Sequence, residues 1–200
     1  TGAGARTPHW CASCLRLPLD GIDGCHAAVS YGWPWQACVD GFKFGAQTGW
    51  ATALAGVMLR DPLVRQAIRT CDVLVPMPLH PLRLAERGYN QSLLLAQALR
   101  RCTDREEKLD RHQAVVRHDW LLRISNTQAQ SRLSLAQRLR NIRQAFAVAA
   151  NQSSQLHGKR VVLVDDVMTS GASAQAAAQT LRTAGVHQLR VVVFARTEKG

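Results

Sequence analysis

The stretch Val161-Val162-Leu163-Val164-Asp165-Asp166-Val167-Met168-Thr169-Ser170-Gly171-Ala172-Ser173 decides the fold of this chain. Four consecutive aliphatic residues without alternation read as a strand of a parallel sheet covered on both faces. Two carboxylates follow, then a short run of hydroxyls and glycine, then Ala174-Gln175-Ala176-Ala177-Ala178, a strong helix-forming sequence. Strand, acidic tip and glycine-bearing loop therefore lead into a helix N-terminus. That order suits a sugar held by its hydroxyls and a phosphate held by backbone N–H groups.

The spacing follows from the chemistry. The first N–H groups of a helix lack intrahelical partners, and the helix dipole attracts an exposed anion by about 0.3–1 kcal/mol. Gly171 permits close backbone approach and a positive φ. Thr169, Ser170 and Ser173 bring hydroxyl donors, and Ser173 is placed to cap the helix. Asp165 and Asp166 are acceptors, suited to sugar hydroxyls or to waters around Mg2+. Adjacent carboxylates repel, so a donor-rich or cationic neighbour is expected beside them.

An Asp-Asp pair alone would fit an ordinary strand end, but the whole pattern is more specific. It resembles the 5-phosphoribosyl-1-pyrophosphate (PRPP) signature of type I phosphoribosyltransferases. The resemblance implies that Asp165 and Asp166 are the catalytic acidic pair on the ribose hydroxyls. It assigns the ribose 5-phosphate to Val167, Met168, Thr169, Ser170, Gly171, Ala172 and Ser173.

Composition sets the limits. The 200 residues suit one α/β domain with a small appendage, and 46% hydrophobic residues is ordinary for a globular chain. No run approaches the ~18–20 apolar residues of a membrane span. No export signal is visible in a chain opening Thr1-Gly2-Ala3-Gly4, so a cytoplasmic setting is expected. The net charge of +11 fits a polyanionic small ligand and fits nucleic acid equally well. The arginines between Arg60 and Arg143 are dispersed rather than gathered in one tract.

Residues 1–30 are rich in Gly, Pro and Cys and read as a separate module ahead of a domain spanning 31–200. Helices are expected from Trp33 to Phe44 and from Thr48 to Arg60, and a short strand at Asp72–Pro76. Gly88–Arg101 reads as an amphipathic helix burying Leu93, Leu94, Ala96, Ala98 and Leu99. Strands are expected at Gln113–Arg117, Ala145–Ala149 and Leu189–Ala195, with a helix at Ser134–Asn141. Strands alternating with helices imply a largely parallel sheet with ligands at the strand C-terminal ends.

Two further blocks narrow the resemblance. One is Val75-Pro76-Met77-Pro78-Leu79-His80-Pro81-Leu82-Arg83-Leu84-Ala85-Glu86-Arg87-Gly88-Tyr89-Asn90-Gln91. The other is Arg123, Thr127, Gln130, Leu133, Arg138, Asn141, Ala145 and Phe146 at their spacing. With the signature, and from about Tyr31 to Arg196, the chain resembles the ComF competence family, including its GntX-like members. The resemblance implies a type I phosphoribosyltransferase fold, a central mainly parallel sheet flanked by helices, behind a small cysteine-containing module. Residues 31–60 would then be hood helices. It also implies a link to natural competence and DNA uptake.

The implied chemistry is Mg2+-dependent transfer of a phosphoribosyl group from PRPP to a nitrogen acceptor, with release of pyrophosphate. Backbone groups of Met77, Pro78 and Leu79, with His80, Arg87, Arg123 and Arg132, are the pyrophosphate candidates, because guanidinium forks bind two phosphate oxygens at once. For Arg83 and Arg87 the alternative is a solvated helix face. For His80 it is a loop histidine satisfied by backbone. Polar Ser125–Ser131 has the composition of a closing lid. Hypoxanthine–guanine enzymes of the fold carry an acidic residue where this chain has Thr169, which argues against a 6-oxopurine acceptor.

Cys11-Ala12-Ser13-Cys14 has the spacing of half a zinc site, with Cys25 as a third ligand and His26 or Cys38 as a fourth. The family's second close cysteine pair is missing, so bound Zn2+ and a degenerate or truncated zinc-ribbon-like module both remain open. Cys38, Cys71 and Cys102 lie on apolar stretches and read as core residues. Two other readings stay beside the enzyme: a non-catalytic PRPP-sensing regulator, and a competence factor binding single-stranded DNA through Trp33, Trp35 or Trp50. Hydrophobic packing is the alternative role for those tryptophans. DNA-uptake proteins and a second copy of the chain, in a homodimer, complete the expected partners.

Overall fold

The computed structural model describes residues 20–106, 114–125, 144–150 and 152–197. Strands β1 (Gly24–Ser30), β2 (Val73–Pro76), β3 (Val115–Val116), β6 (Arg160–Met168) and β7 (Gln188–Arg196) form one sheet in the order β1-β7-β6-β2-β3. Every pairing in it is parallel. The short strands β4 (Leu121–Arg123) and β5 (Phe146–Val148) pair antiparallel in a separate ribbon.

Alternation along the strands builds two cores. Leu74, Val162, Val164, Val192 and Phe194 face helices α1 (Trp35–Phe44), α2 (Trp50–Met58), α3 (Pro62–Thr70) and α5 (Gln91–Glu106). Val73, Val75, Val161, Leu163, Val191 and Val193 face helix α7 (Ala172–Thr183), the short helix α6 (Ser153–Leu156) and the β4–β5 ribbon. Helix α7 buries Ala174, Ala176, Ala177, Ala178 and Leu181. Small side chains there let the helix lie close on the sheet.

The C-terminal ends of β2 and β6 lie side by side, with Pro76 paired to Val164. β6 connects through α7 toward β7 on one side, while β3 lies on the other side of β2. Adjacent parallel strands whose connections diverge leave a crevice at their carboxyl ends. At the opposite end Asp72 clamps Arg160, accepting its backbone N–H at 2.7 Å and its Nη2 at 2.7 Å.

Several expectations are corrected here. Gly24–Ser30 was read as part of the N-terminal module; it is the edge strand β1, in register from Gly24 against Arg190 to Ser30 against Arg196. Its apolar run Ala27-Ala28-Val29 meets the buried strand β7, which outweighs the Cys-His signal. Pro81–Arg87, for which the sequence predicts no regular element, is a helix, α4. Proline is well tolerated at a first helical position, so Pro81 starts this helix rather than breaking it. Helix α3, which was not anticipated, starts the same way: Pro62 follows Asp61, whose side chain accepts the Leu63 N–H at 2.7 Å. Phe146–Val148 is a strand as expected, but lies outside the main sheet. The expected strand at 113–117 is reduced to Val115–Val116.

In α5 the buried apolar residues are Leu95, Ala96, Ala98 and Leu99, with Leu93 and Leu94 only half-buried. Cys71 is buried, while Cys38 and Cys102 are half-buried. The tryptophans divide: Trp35 packs edge-on to Phe194 at 5.6 Å, whereas Trp33 is 91% exposed. No helix among the described residues is long and apolar enough to cross a membrane. The 1–19 part of the N-terminal module, the expected helix at 134–141 and the lid beyond Ser125 lie outside the described residues.

Candidate functional site

The signature forms a strand, turn and helix in the order its sequence predicts. β6 runs through both aspartates to Met168, Thr169 and Ser170 are exposed, and Gly171 precedes α7 with φ +79°. That positive φ is the conformation for which glycine is suited at this turn. Ser173 does not cap the helix; Gly171 occupies the N-cap, and the Ser170 hydroxyl accepts the Ala172 N–H at 3.4 Å. The first turn of α7 holds no acidic side chain. Its N–H end therefore faces the loop without a competing carboxylate of its own.

Asp165, Met168, Thr169, Ser170, Gly171 and Ser173 are among the residues lining a cavity of about 80 Å³. Pockets for drug-sized ligands run to about 300–1,000 Å³, so this volume matches a phosphate-sized group rather than a whole nucleotide.

The two aspartates have different surroundings. Asp165 Oδ1 accepts the Ser92 hydroxyl and the Asp166 N–H, both at 2.9 Å. Burial first, and then the adjacent Asp166 carboxylate, push the Asp165 carboxyl up to about 7. The Asp166 N–H, the Ser92 hydroxyl and Lys43 oppose that rise. Asp166 is 3% exposed; its Oδ1 accepts the Val167 N–H at 2.8 Å, and its Oδ2 meets Lys43 Nζ at 3.1 Å. Oδ2 is fully enclosed and makes no well-aligned hydrogen bond, so its contact with Lys43 is an ion pair. The expected cationic neighbour of the acidic pair is thus Lys43.

The Pro-rich block lies alongside. Pro76 pairs with Val164, and the Met77 N–H donates to the Val164 carbonyl at 2.8 Å, which sets the following loop beside the aspartates. Asn90 secures that loop: its Nδ2 donates to the Met77 carbonyl at 3.1 Å. Its Oδ1 accepts the N–H of Ser92 at 2.9 Å and of Leu93 at 3.2 Å, capping α5. Met77 and Pro78 are buried, and Leu79 and His80 are half-buried. His80 caps α4, its Nδ1 accepting the Leu82 N–H at 3.3 Å, which is the backbone-satisfied alternative.

The arginine candidates separate. Arg123, on β4, lies with its guanidinium 5.6 Å from the Phe146 ring centroid. Burial holds its pKa below the usual arginine range, Asp165 opposes that fall, and Arg83 adds to it. Arg123 is thus an electrostatic neighbour of Asp165, and Arg83 is a neighbour of Arg123. Arg87 lies over the Phe44 ring at 5.2 Å and donates to the Gln91 side chain. Arg83 pairs with Glu86 at 3.4 Å. Arg132 lies outside the described residues, as do Cys11 and Cys14. Cys25 sits in β1, with its Sγ 3.8 Å from Met168 Sδ. Among the described residues no group of three His, Cys, Asp or Glu side chains stands close enough to hold a metal.

Sequence reasoning left Lys43, Ser92 and Asn90 without a role. Asn90 carried a usable signal, a capping residue just ahead of an apolar helical run. Lys43 carried none, because only the packing of α1 against β6 brings it to Asp166.

Residues 97–200 match the family described as Phosphoribosyl transferase domain. Over 166 residues the chain is 31% identical to Competence protein F of Haemophilus influenzae, covering 82% of this chain and 68% of that protein. It is 29% identical over 193 residues to DNA utilization protein YhgH of Escherichia coli, covering 94% and 78% respectively. With Competence protein ComFC of Bacillus subtilis the identity is 34% over 113 residues, 56% of this chain and 39% of that protein. The parallel sheet with flanking helices and the strand–loop–helix signature are those of a type I phosphoribosyltransferase domain. The domain match shows a phosphoribosyl transferase domain, and by its 31% identity to Competence protein F this chain belongs to the ComF competence family.

Proposed function

We propose that the site binds PRPP with Mg2+ and transfers its phosphoribosyl group to a nitrogen acceptor, releasing pyrophosphate. One observation carries this reading: Asp165 and the Thr169–Ser173 loop line the same small cavity at the N-terminus of α7. A carboxylate for hydroxyls and N–H groups for a phosphate stand at neighbouring positions. The relatives' names, competence protein and DNA utilization protein, support a role in handling incoming DNA.

In the reaction, an acceptor nitrogen forms a bond to ribose C1 while the C1–O bond to pyrophosphate breaks. The electron pair leaves with pyrophosphate, and the acceptor gives up a proton to solvent or base. Residues of the chain position and stabilise. Asp165 accepts ribose hydroxyls, the loop N–H groups fix the 5-phosphate, and the main chain after Met77 together with Arg123 faces the leaving group. The donor set fits Mg2+, which is usually held by one or two carboxylates plus substrate oxygens rather than by an all-protein cage. Bound there, Mg2+ would neutralise part of the leaving pyrophosphate's charge, and Asp165 is the residue to share it.

Calorimetric titration of PRPP with and without Mg2+ into the wild type and into Asp165→Asn tests this. Mg2+-dependent binding in the wild type and its loss in the variant are expected. Absence of PRPP binding by the wild type would overturn the reading. Release of pyrophosphate with a panel of nitrogen acceptors then separates an enzyme from a PRPP sensor.

A further inference from the structure

Lys43 and Asp166 give the two signature carboxylates separate tasks. The Asp166 side chain is 4% exposed and that of Lys43 is 21% exposed. Each Asp166 oxygen already has a protein partner, the Val167 N–H at 2.8 Å and Lys43 Nζ at 3.1 Å. Asp166 is not among the residues lining the loop cavity, whereas Asp165 is. Lys43 sits in the last turn of α1, where the helix dipole favours a cation and adds to the pull of the carboxylate. The helix is tied in place nearby: the Tyr89 hydroxyl donates to the Phe42 carbonyl, and the Tyr31 hydroxyl donates to Asp40 Oδ1 at 3.4 Å.

We propose that Lys43 is a positioning residue that holds the Asp166 carboxylate away from the ligand, leaving Asp165 as the carboxylate of the pair that receives the ribose hydroxyls. The assignment rests on the PRPP reading of the site. A buried carboxylate stripped of its cation is left uncompensated. Without Lys43, Asp166 would be an uncompensated carboxylate that repels the charge Asp165 needs to accept hydroxyls. Other charged or titratable groups facing the pair are Tyr31 beside Asp166, Asp40 bonded to Tyr31, and Arg123 beside Asp165, with Arg83 next to Arg123.

The test compares Lys43→Met, Lys43→Arg and the double variant Lys43→Met/Asp166→Asn by calorimetry with Mg2+ and PRPP at pH 7.5. Lys43→Met is expected to weaken binding about tenfold at pH 7.5. Lys43→Arg keeps the ion pair and stays within about threefold of the wild type. The double variant removes both charges and recovers affinity to within about threefold, because no uncompensated carboxylate remains. A double variant as weak as Lys43→Met would mean that Lys43 touches the ligand itself, and would overturn the proposal. So would a Lys43→Met affinity equal to that of the wild type. A ligand-free arm keeps the two readings apart. Unfolding midpoints at pH 7.5 should fall in Lys43→Met and recover in the double variant. If the wild type binds no PRPP, the PRPP reading fails, while this arm still decides whether Lys43 holds Asp166; flat midpoints overturn that as well.

Discussion

The Ser92 hydroxyl, at the start of α5, donates to Asp165 Oδ1 at 2.9 Å across 73 residues of sequence. The bond ties the helix that follows the Pro-rich block to the signature strand. It also stabilises the charged form of a carboxyl that burial drives toward neutrality.

Ser92→Ala removes that donor, so Asp165 takes up its proton more readily. Affinity for Mg2+ and PRPP is expected to fall about tenfold at pH 7 and less at pH 8.5, since hydrogen bonds to charged groups contribute about 1.5–3 kcal/mol. Calorimetry at the two pH values reads the difference. An equal loss at both would show that the hydroxyl does not act through the Asp165 proton.

Asp165→Asn should trade function for stability. The folded-state carboxyl is raised to about 7, above its ordinary value of 3.8, so the native state binds more protons than the unfolded chain between those values. Wild-type stability therefore declines as pH rises through that window. The amide is indifferent to it. Chemical denaturation should find the variant more stable than wild type by on the order of 2 kcal/mol at pH 8, and little changed at pH 4. A variant less stable at pH 8 would contradict the strained carboxylate.

Asn90 serves helix and loop together, capping α5 through Oδ1 and holding Met77 through Nδ2. Asn90→Ala is expected to cost about 1–2 kcal/mol through the lost cap. In a chain of this size that lowers the unfolding midpoint by about 2–8 °C. Asn90→Asp keeps the cap acceptor but loses the donor to Met77. It should retain most of the stability while still losing affinity for pyrophosphate, which titration of pyrophosphate alone would detect.

Gly171 holds φ +79° beside the cavity that Asp165 and Thr169 also line. Gly171→Ala should destabilise by about 1–2 kcal/mol, the cost of a left-handed conformation for an L-residue. Relief of that strain moves the loop N–H groups, so affinity for ribose 5-phosphate should fall further than stability alone explains. Unchanged ribose 5-phosphate binding would place the phosphate elsewhere.

How far the sequence could be read depended on how local the physics was. The run Val161–Val164 announced a buried strand because parallel strands are apolar on both faces, and β6 covers it fully. The alanine run and Gly171 announced the helix and its turn, because helix propensity and positive φ are single-residue properties. Gly24–Ser30 misled because Cys25 and His26 look like ligands in isolation, whereas a strand is decided by its neighbour, here β7. Pro81 is no guide by itself, because proline both ends and begins regular structure.

The sequence by itself determined the acidic pair, the glycine loop, the helix behind it and the family resemblance, all of which follow from adjacent residues. Only the tertiary structure decided which aspartate faces the cavity and which is clamped. Lys43 is 123 positions before Asp166 and Ser92 is 73 before Asp165, and neither spacing has a periodic signature. Charge neutralisation and carboxyl protonation depend on distance in space and on exclusion of water, and folding of α1 and α5 onto the ends of β2 and β6 supplies both.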